Sequence, residues 1–179
     1  MIIKAMPLGP FQANCYLLGC EETRAALVVD PGEDPEQILA ELASLELSPV
    51  AYFHTHGHID HVGATARLKE KLGGEILIHE ADHFLYEHAP EQALSFGIEL
   101  PPMAPVDRFI AGGETVSWGK IEGVVRETPG HSPGGVCLLI EGRYLKPAGP
   151  AEAGSDDAPP YMVLTGDTLF AGSIGRTDL

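Results

Sequence analysis

The most informative segment of this chain reads His54-Thr55-His56-Gly57-His58-Ile59-Asp60-His61-Val62-Gly63 and follows an apolar run at residues 50–53. Four of its side chains are of metal-binding types and fall within six positions: His56, His58, Asp60 and His61. In an extended segment, residues two apart point to the same side, and a helix is expected to start near Asp60. Imidazole and carboxylate ligands suit Zn²⁺, with Fe²⁺ or Mn²⁺ as alternatives. A histidine-rich surface loop would explain the composition, but the spacing and the strand-to-helix context favour a metal site.

Four further segments match the pattern of one protein family. Two of them read Thr128-Pro129-Gly130-His131-Ser132-Pro133-Gly134-Gly135 and Leu164-Thr165-Gly166-Asp167-Thr168-Leu169-Phe170. The other two are the opening Pro10-Phe11-Gln12-Ala13-Asn14-Cys15-Tyr16-Leu17 and the tail Ala171-Gly172-Ser173-Ile174-Gly175-Arg176-Thr177-Asp178-Leu179. Together with the histidine segment they resemble the metallo-β-lactamase superfamily, and within it the glyoxalase II-like (hydroxyacylglutathione hydrolase-like) subgroup. The resemblance extends over essentially the whole chain.

The resemblance implies an α+β fold, the αββα four-layer sandwich, formed by residues 1–179 as one domain. It also implies two zinc ions and six ligands: His56, His58 and His131 for the first metal, Asp60 and His61 for the second, and Asp167 between the two. Two adjacent ions can hold a hydroxide and stabilise the oxyanion formed when it attacks a carbonyl. Asp60 is also the candidate catalytic residue, because its carboxylate could orient that hydroxide and accept its proton.

Relatives continue beyond the Gly-Arg-Thr-Asp segment into a helix, a strand and a final histidine that completes the second metal site. This chain ends at Leu179. We therefore expect it to lack the C-terminal strand and helix of the sandwich, and in this form to have a second metal site that is short of one ligand and is weaker or empty.

The function implied is hydrolysis of a thioester such as S-lactoylglutathione. Arg176 stands where relatives carry a glutathione-binding lysine, whereas Asp178 stands where they carry a tyrosine, so the acyl and thiol groups stay open. One alternative is a mononuclear iron persulfide dioxygenase, with His56, His131 and Asp167 as a facial triad. Another is a non-catalytic, metal-stabilised binding module. Hydrolysis of β-lactams is disfavoured by the Gly-Arg-Thr-Asp tail.

Composition sets the remaining expectations. The chain has 179 residues, 11 Lys and Arg against 26 Asp and Glu, and a net charge of −15. Nucleic acids and anionic membranes bind positive patches, so neither is expected as a partner, and a small-molecule substrate is. Three cysteines at unpatterned spacing (Cys15, Cys20 and Cys137) are interpreted as structural thiols of a cytoplasmic protein. The sequence leaves the oligomeric state open.

Apolar periodicity and turn residues predict the secondary structure. Strands are expected at residues 2–6, 14–19, 25–30, 50–53, 76–78, 115–118, 121–128, 135–141 and 161–165. Helices are expected after Asp34, as an N-cap paired with Gln37, and at 64–72 and 80–88. Residues 146–160 are predicted to be a loop. Packing or surface roles are predicted for the remaining histidines: His54, His79, His83 and His88.

Overall fold

The chain folds around two main β-sheets, the first of which begins at the amino terminus. The structure is a computed structural model that describes residues 1–145 and 161–177. The loop predicted at 146–160 and the position of Asp178 lie outside the described residues. The sheet has six strands in sequence order: β1 (Ile2–Leu8), β2 (Ala13–Gly19), β3 (Ala25–Val29), β4 (Ser48–Phe53), β5 (Glu75–His79) and β6 (Arg108–Ile110). Strands β1 to β3 are antiparallel, and β3 to β6 are parallel. The carboxyl ends of β3, β4 and β5 therefore meet at one edge, which is where open α/β sheets form their ligand sites.

Helices connect the parallel strands, because a parallel pair needs a crossover. They are α1 (Pro35–Ser44), α2 (Ile59–Val62), α3 (Thr65–Leu72), α4 (His83–Glu87) and α5 (Ala89–Ser95). All five contribute buried side chains to one apolar cluster with the first sheet, among them Ile38, Leu42 and Leu68. No helix of the described residues is long and apolar enough to cross a lipid bilayer.

The second sheet is an antiparallel meander of four strands in the order β10-β9-β8-β7. Its strands are β7 (Thr115–Trp118), β8 (Ile121–Glu127), β9 (Val136–Glu141) and β10 (Tyr161–Leu164). A short hairpin follows, with β11 (Leu169–Phe170) and β12 (Ser173–Ile174). A second apolar cluster, which includes Phe53 and Leu77 of the first sheet and Trp118 and Leu138 of the second, joins the two sheets. The described layers are thus helix, sheet and sheet, stacked as in the predicted sandwich.

Two local predictions were wrong in part. The helix expected at 80–88 is a 3₁₀ turn (Glu80–Asp82) followed by α4, and a further helix, α5, starts at Ala89. Pro90 explains the break, since it has no N–H to donate and its ring clashes with the carbonyl four residues earlier. Asp34 does precede α1, but its side chain does not cap that helix. Its carboxylate instead accepts a hydrogen bond from the Gly9 amide at 3.1 Å.

Candidate metal centre

Three predicted ligands form a compact imidazole cluster at the edge where the parallel strands end. His56 and His58 lie in the loop between β4 and α2, and His131 lies between β8 and β9. Each pair of these rings has its centroids 4.8 Å apart, and His58 Nδ1 is 3.0 Å from His131 Nε2. These spacings allow three nitrogens to reach one ion at the bond length of about 2 Å that zinc requires.

A second group adjoins the first and shares His56 with it. Its other members are His61 and Asp167, and within each group the potential ligand atoms lie within 4.8 Å of one another. Asp167 Oδ1 is 3.4 Å from His61 Nε2, while its Oδ2 is 3.7 Å from His131 Nε2. One carboxylate oxygen therefore faces each group. Asp60 flanks the second group, with Oδ2 3.7 Å from His61 Nε2. The structure thus brings together all six side chains predicted as ligands.

Unpartnered nitrogen atoms test whether these residues fit a metal. The Nε2 atoms of His56 and His61 are buried and have no hydrogen-bond partner. Buried polar atoms are nearly always satisfied, so two such nitrogens in one cluster need an explanation. At 3.4 Å, Asp167 is at ion-pair distance from His61 rather than in a well-formed hydrogen bond. A divalent ion among the rings would satisfy both nitrogens, and the donor set of imidazoles and carboxylates is one that zinc, iron and manganese accept.

Asp30 orients two of the ligand histidines through contacts at their Nδ1 atoms. It is buried at the end of β3, and its carboxylate accepts hydrogen bonds from the Thr55 amide and hydroxyl, both at 2.7 Å. The Thr55 hydroxyl is also 3.1 Å from His56 Nδ1, and Asp30 Oδ2 is 3.1 Å from His61 Nδ1. The two contacts place a hydrogen-bond or ion-pair partner at each Nδ1 and turn each Nε2 toward the cluster, which is how carboxylates commonly orient metal-binding histidines. Sequence reasoning missed Asp30, although an aspartate directly after an apolar strand was the available signal.

The charges differ between the two groups. Burial and the neighbouring histidines hold the pKa of His56 well below its usual range, and burial and His131 also lower the pKa of His58. His56 and His58 are therefore held as neutral imidazoles, the form that binds metals. Burial also lowers the pKa of His61, but the charge of Asp30 and the contacts with Asp167 and Asp60 outweigh it and raise that pKa to about 10. The carboxylates thus favour positive charge at the second group.

The remaining histidines lie outside both ligand groups. His54 is buried, its ring nitrogens are 3.2 Å from the His61 carbonyl and 3.3 Å from the Thr65 hydroxyl, and burial lowers its pKa to about 4. His79 Nδ1 accepts a hydrogen bond from the Ala81 amide, which caps the 3₁₀ turn. His83 and His88 lie on or beside α4, where each contacts a neighbouring helix residue: Glu87 for His83 and Phe84 for His88. All four contacts agree with the predicted packing and surface roles.

The main chain of Arg176 lies beside the site. Its carbonyl is 3.2 Å from His131 Nδ1, so it fixes that imidazole with Nε2 facing the cluster. The substrate contact predicted for Arg176 stays a prediction.

A cleft of about 570 Å³ opens beside the second group. Asp60, His61 and Asp167 form part of its wall, and Phe11 and Phe170 contribute apolar surface that is 44% and 46% exposed. A small molecule could therefore reach the carboxylates from solvent.

Comparison with known proteins identifies the family. The profile of the metallo-beta-lactamase superfamily matches residues 8–143. The hydroxyacylglutathione hydrolase GloC of Haemophilus influenzae is 35% identical over 180 residues, which cover 99% of this chain and 76% of GloC. The BLEG-1 B3 metallo-beta-lactamase has a TM-score of 0.81 at 29% identity, with 99% of this chain and 78% of that one covered. TTHA1623, solved in a di-iron-bound form, has a TM-score of 0.77 at 37% identity, with 98% and 77% covered.

The chain belongs to the metallo-β-lactamase superfamily, and its similarity to GloC places it with the glyoxalase II-like members. The α+β metallo-β-lactamase fold predicted from the sequence is confirmed.

Proposed function

We propose that the protein is a metal-dependent hydrolase of thioesters, S-lactoylglutathione or a related acyl thioester, and that residues 1–179 belong to one catalytic domain. The observation that carries the proposal is the pair of ligand groups that share His56 and are joined by the two oxygens of Asp167, beside an open cleft. The 35% identity to a hydroxyacylglutathione hydrolase supports the thioester as substrate class.

In this proposal His56, His58 and His131 would hold a first metal, His61 and Asp60 would hold a second, and Asp167 would serve both. Bound divalent ions would lower the pKa of water and stabilise the negative charge that develops on a carbonyl oxygen under attack. Zinc is the proposed metal, with iron or manganese as alternatives, because the donors are imidazoles and carboxylates.

Asp60 has the position of a proton acceptor. It lies in the first turn of α2, its side chain is 24% exposed, and it forms part of the cleft wall. A carboxylate there can accept the proton of the attacking water and orient that water toward the substrate carbonyl. The leaving thiolate needs no dedicated acid, because thiols are far more acidic than alcohols or amines.

The environment of the cleft supports a small acyl substrate. Apolar side chains, including Phe11 and Phe170, line the same cleft as the carboxylates and can contact an acyl chain. We also propose a cytoplasmic location, because Cys15, Cys20 and Cys137 are all free thiols.

An iron-dependent dioxygenase is the second candidate. His56, His131 and Asp167 could form a two-histidine, one-carboxylate facial triad with open positions, and a relative at 37% identity binds two irons. The third candidate is a non-catalytic binding module stabilised by metal. This candidate predicts that the protein binds metal but turns over no substrate.

The test is to purify the protein without added metal and measure its metal content. Metal is then removed with a chelator and restored as zinc, manganese or iron(II). Thiol release from a panel of acyl thioesters, and oxygen uptake with a persulfide, are measured for each form.

We expect thioester hydrolysis to be lost on chelation and restored by metal, to be lost in His131→Ala, and to be retained in His88→Ala as a matched surface control. Oxygen uptake with one iron per chain would contradict the hydrolase and favour the dioxygenase. Metal binding without either reaction would favour the binding module.

A further inference from the structure

Asp82 is a buried carboxylate that lies outside both ligand groups and yet contacts the two loops that carry them. It ends the 3₁₀ turn after β5 and is fully buried. Its Oδ2 accepts hydrogen bonds from the Gly57 amide at 2.9 Å and the Ser132 hydroxyl at 2.7 Å, and its Oδ1 accepts one from the Gly134 amide at 2.5 Å. Three hydrogen-bond donors therefore point at this side chain, and both of its oxygens act as acceptors.

The positions of these donors connect Asp82 to the first ligand group. Gly57 lies between His56 and His58, and Ser132 directly follows His131. The two loops are far apart in sequence, since Gly57 and Ser132 are separated by 75 positions. A single side chain therefore holds in register the two loops whose imidazoles, His58 and His131, approach to 3.0 Å.

Close backbone packing supports the same connection. A Cβ added to Gly57 would lie 2.8 Å from the Asp82 carbonyl oxygen, and one added to Gly134 would lie 2.7 Å from the Asp82 amide nitrogen. Real Cβ atoms essentially never approach main-chain atoms that closely. Glycine at both positions thus lets the two loops pack closely against the turn that ends at Asp82.

Burying a carboxylate is costly unless hydrogen bonds compensate it. An apolar side chain would fill this space without that cost if packing were its only role. Here a carboxylate is buried instead, and both metal-binding loops donate hydrogen bonds to it. We propose that Asp82 is a positioning residue, which fixes the separation of the His56–His58 loop from the His131 loop and so sets the affinity of the first metal site. The proposal rests on the metal-binding role of these histidines in the proposed function.

The substitution Asp82→Asn tests the proposal. Asparagine has one acceptor oxygen, and its amide group would face either the Gly134 amide or the donors from Gly57 and Ser132. In either orientation at least one of the three hydrogen bonds would be lost, and an amide N–H would face a main-chain N–H donor. Dissociation constants for zinc are measured by competition with a chromophoric chelator, beginning from the metal-free protein, together with the melting temperature of the metal-free form. We expect zinc affinity to fall by about 10–100-fold, the usual effect of removing a group that orients metal ligands.

Two further variants make the result specific. Asp107→Asn also removes a carboxylate that accepts a main-chain hydrogen bond, from Ile76, and pairs with Lys69, but it lies away from the metal loops. It should lower the melting temperature and leave the zinc dissociation constant unchanged within about twofold. Ser132→Ala removes one of the three bonds to Asp82 and should weaken zinc binding several-fold. Hydrolysis by Asp82→Asn should recover at saturating zinc, because Asp82 acts through ligand position and not on the substrate.

Unchanged zinc affinity in Asp82→Asn, with a lower melting temperature, would overturn the proposal and leave Asp82 a purely structural residue. If that variant does not fold, unchanged affinity in Ser132→Ala overturns it instead. Failure of the thioesterase function is recognised separately, as a wild-type protein that binds zinc and hydrolyses no thioester. The affinity comparison among the variants would still decide the role of Asp82.

Discussion

Replacing Gly166 with alanine should damage the metal centre from a position that is not itself a ligand. Gly166 directly precedes Asp167, and its φ of +49° is a left-handed conformation that favours glycine. A Cβ at this position would lie 2.2 Å from the Thr55 hydroxyl oxygen and 2.7 Å from the Thr55 Cβ. Thr55 is buried and its hydroxyl bonds to Asp30, so it cannot simply rotate away.

The expected loss of stability has two parts. A left-handed alanine costs about 1–2 kcal/mol, offset by about 0.4–1 kcal/mol because alanine also restricts the unfolded chain. Displacing Thr55 breaks its hydrogen bond to the charged Asp30, worth about 1.5–3 kcal/mol. The free energy of unfolding should therefore fall by about 2–4 kcal/mol. Metal affinity should fall with it, since Thr55 links Asp30 to His56.

Gly172→Ala is the matched control, because Gly172 has a φ of +85° and no atom within 4 Å of an added Cβ. It carries the conformational strain without the clash. Urea unfolding of the metal-free proteins should show Gly166→Ala to be less stable than Gly172→Ala by about 1.5–3 kcal/mol, the share assigned to the Thr55 contact. Equal losses in the two variants would refute the reasoning, because strain alone would then account for the effect.

Two other substitutions have expected outcomes. Asp60→Asn should reduce thioester hydrolysis by roughly 100-fold, as loss of a proton acceptor does, and spare the first metal; equal rates in mutant and wild type would make Asp60 structural. His54 has its pKa lowered by burial from 6.5 to about 4, so the folded state binds fewer protons than the unfolded state between those values. The metal-free protein should therefore lose up to about 3 kcal/mol of stability from this residue as pH falls from about 6.5 to 4. His54→Gln should show a shallower pH dependence, and an unchanged slope would contradict the assignment.

The sequence was sufficient to predict the features that depend on local spacing. The histidine segment placed four candidate ligands at the end of a strand, and the resemblance supplied His131 and Asp167 from segments farther along the chain. Most strands were recognised from apolar runs, with ends that differ from the observed ones by one or two residues. The helix predicted at 80–88 ends within one residue of α4, and Pro90, a residue favoured in the first turn of a helix, was the available signal for the separate helix α5.

What the sequence did not indicate depends on contacts between distant segments. Asp30 and Asp82 each look like an aspartate in a turn, and their roles emerge only when β3, β4 and β5 end side by side. Thr55, 25 positions after Asp30, then becomes its hydrogen-bond donor, and Gly57 and Ser132 become donors to Asp82. The strand β6 was missed because it is only three residues long, too short for an alternating pattern to register.

The most direct test of the metal centre is an anomalous-difference map from crystals of the protein, recorded at the zinc and iron absorption edges. A peak is expected about 2.0–2.2 Å from nitrogens of His56, His58 and His131, with a weaker second peak or none beside His61, Asp60 and Asp167. Crystals that hold metal elsewhere, with these three imidazoles still unligated, would contradict the proposal that this cluster is the metal-binding and catalytic centre.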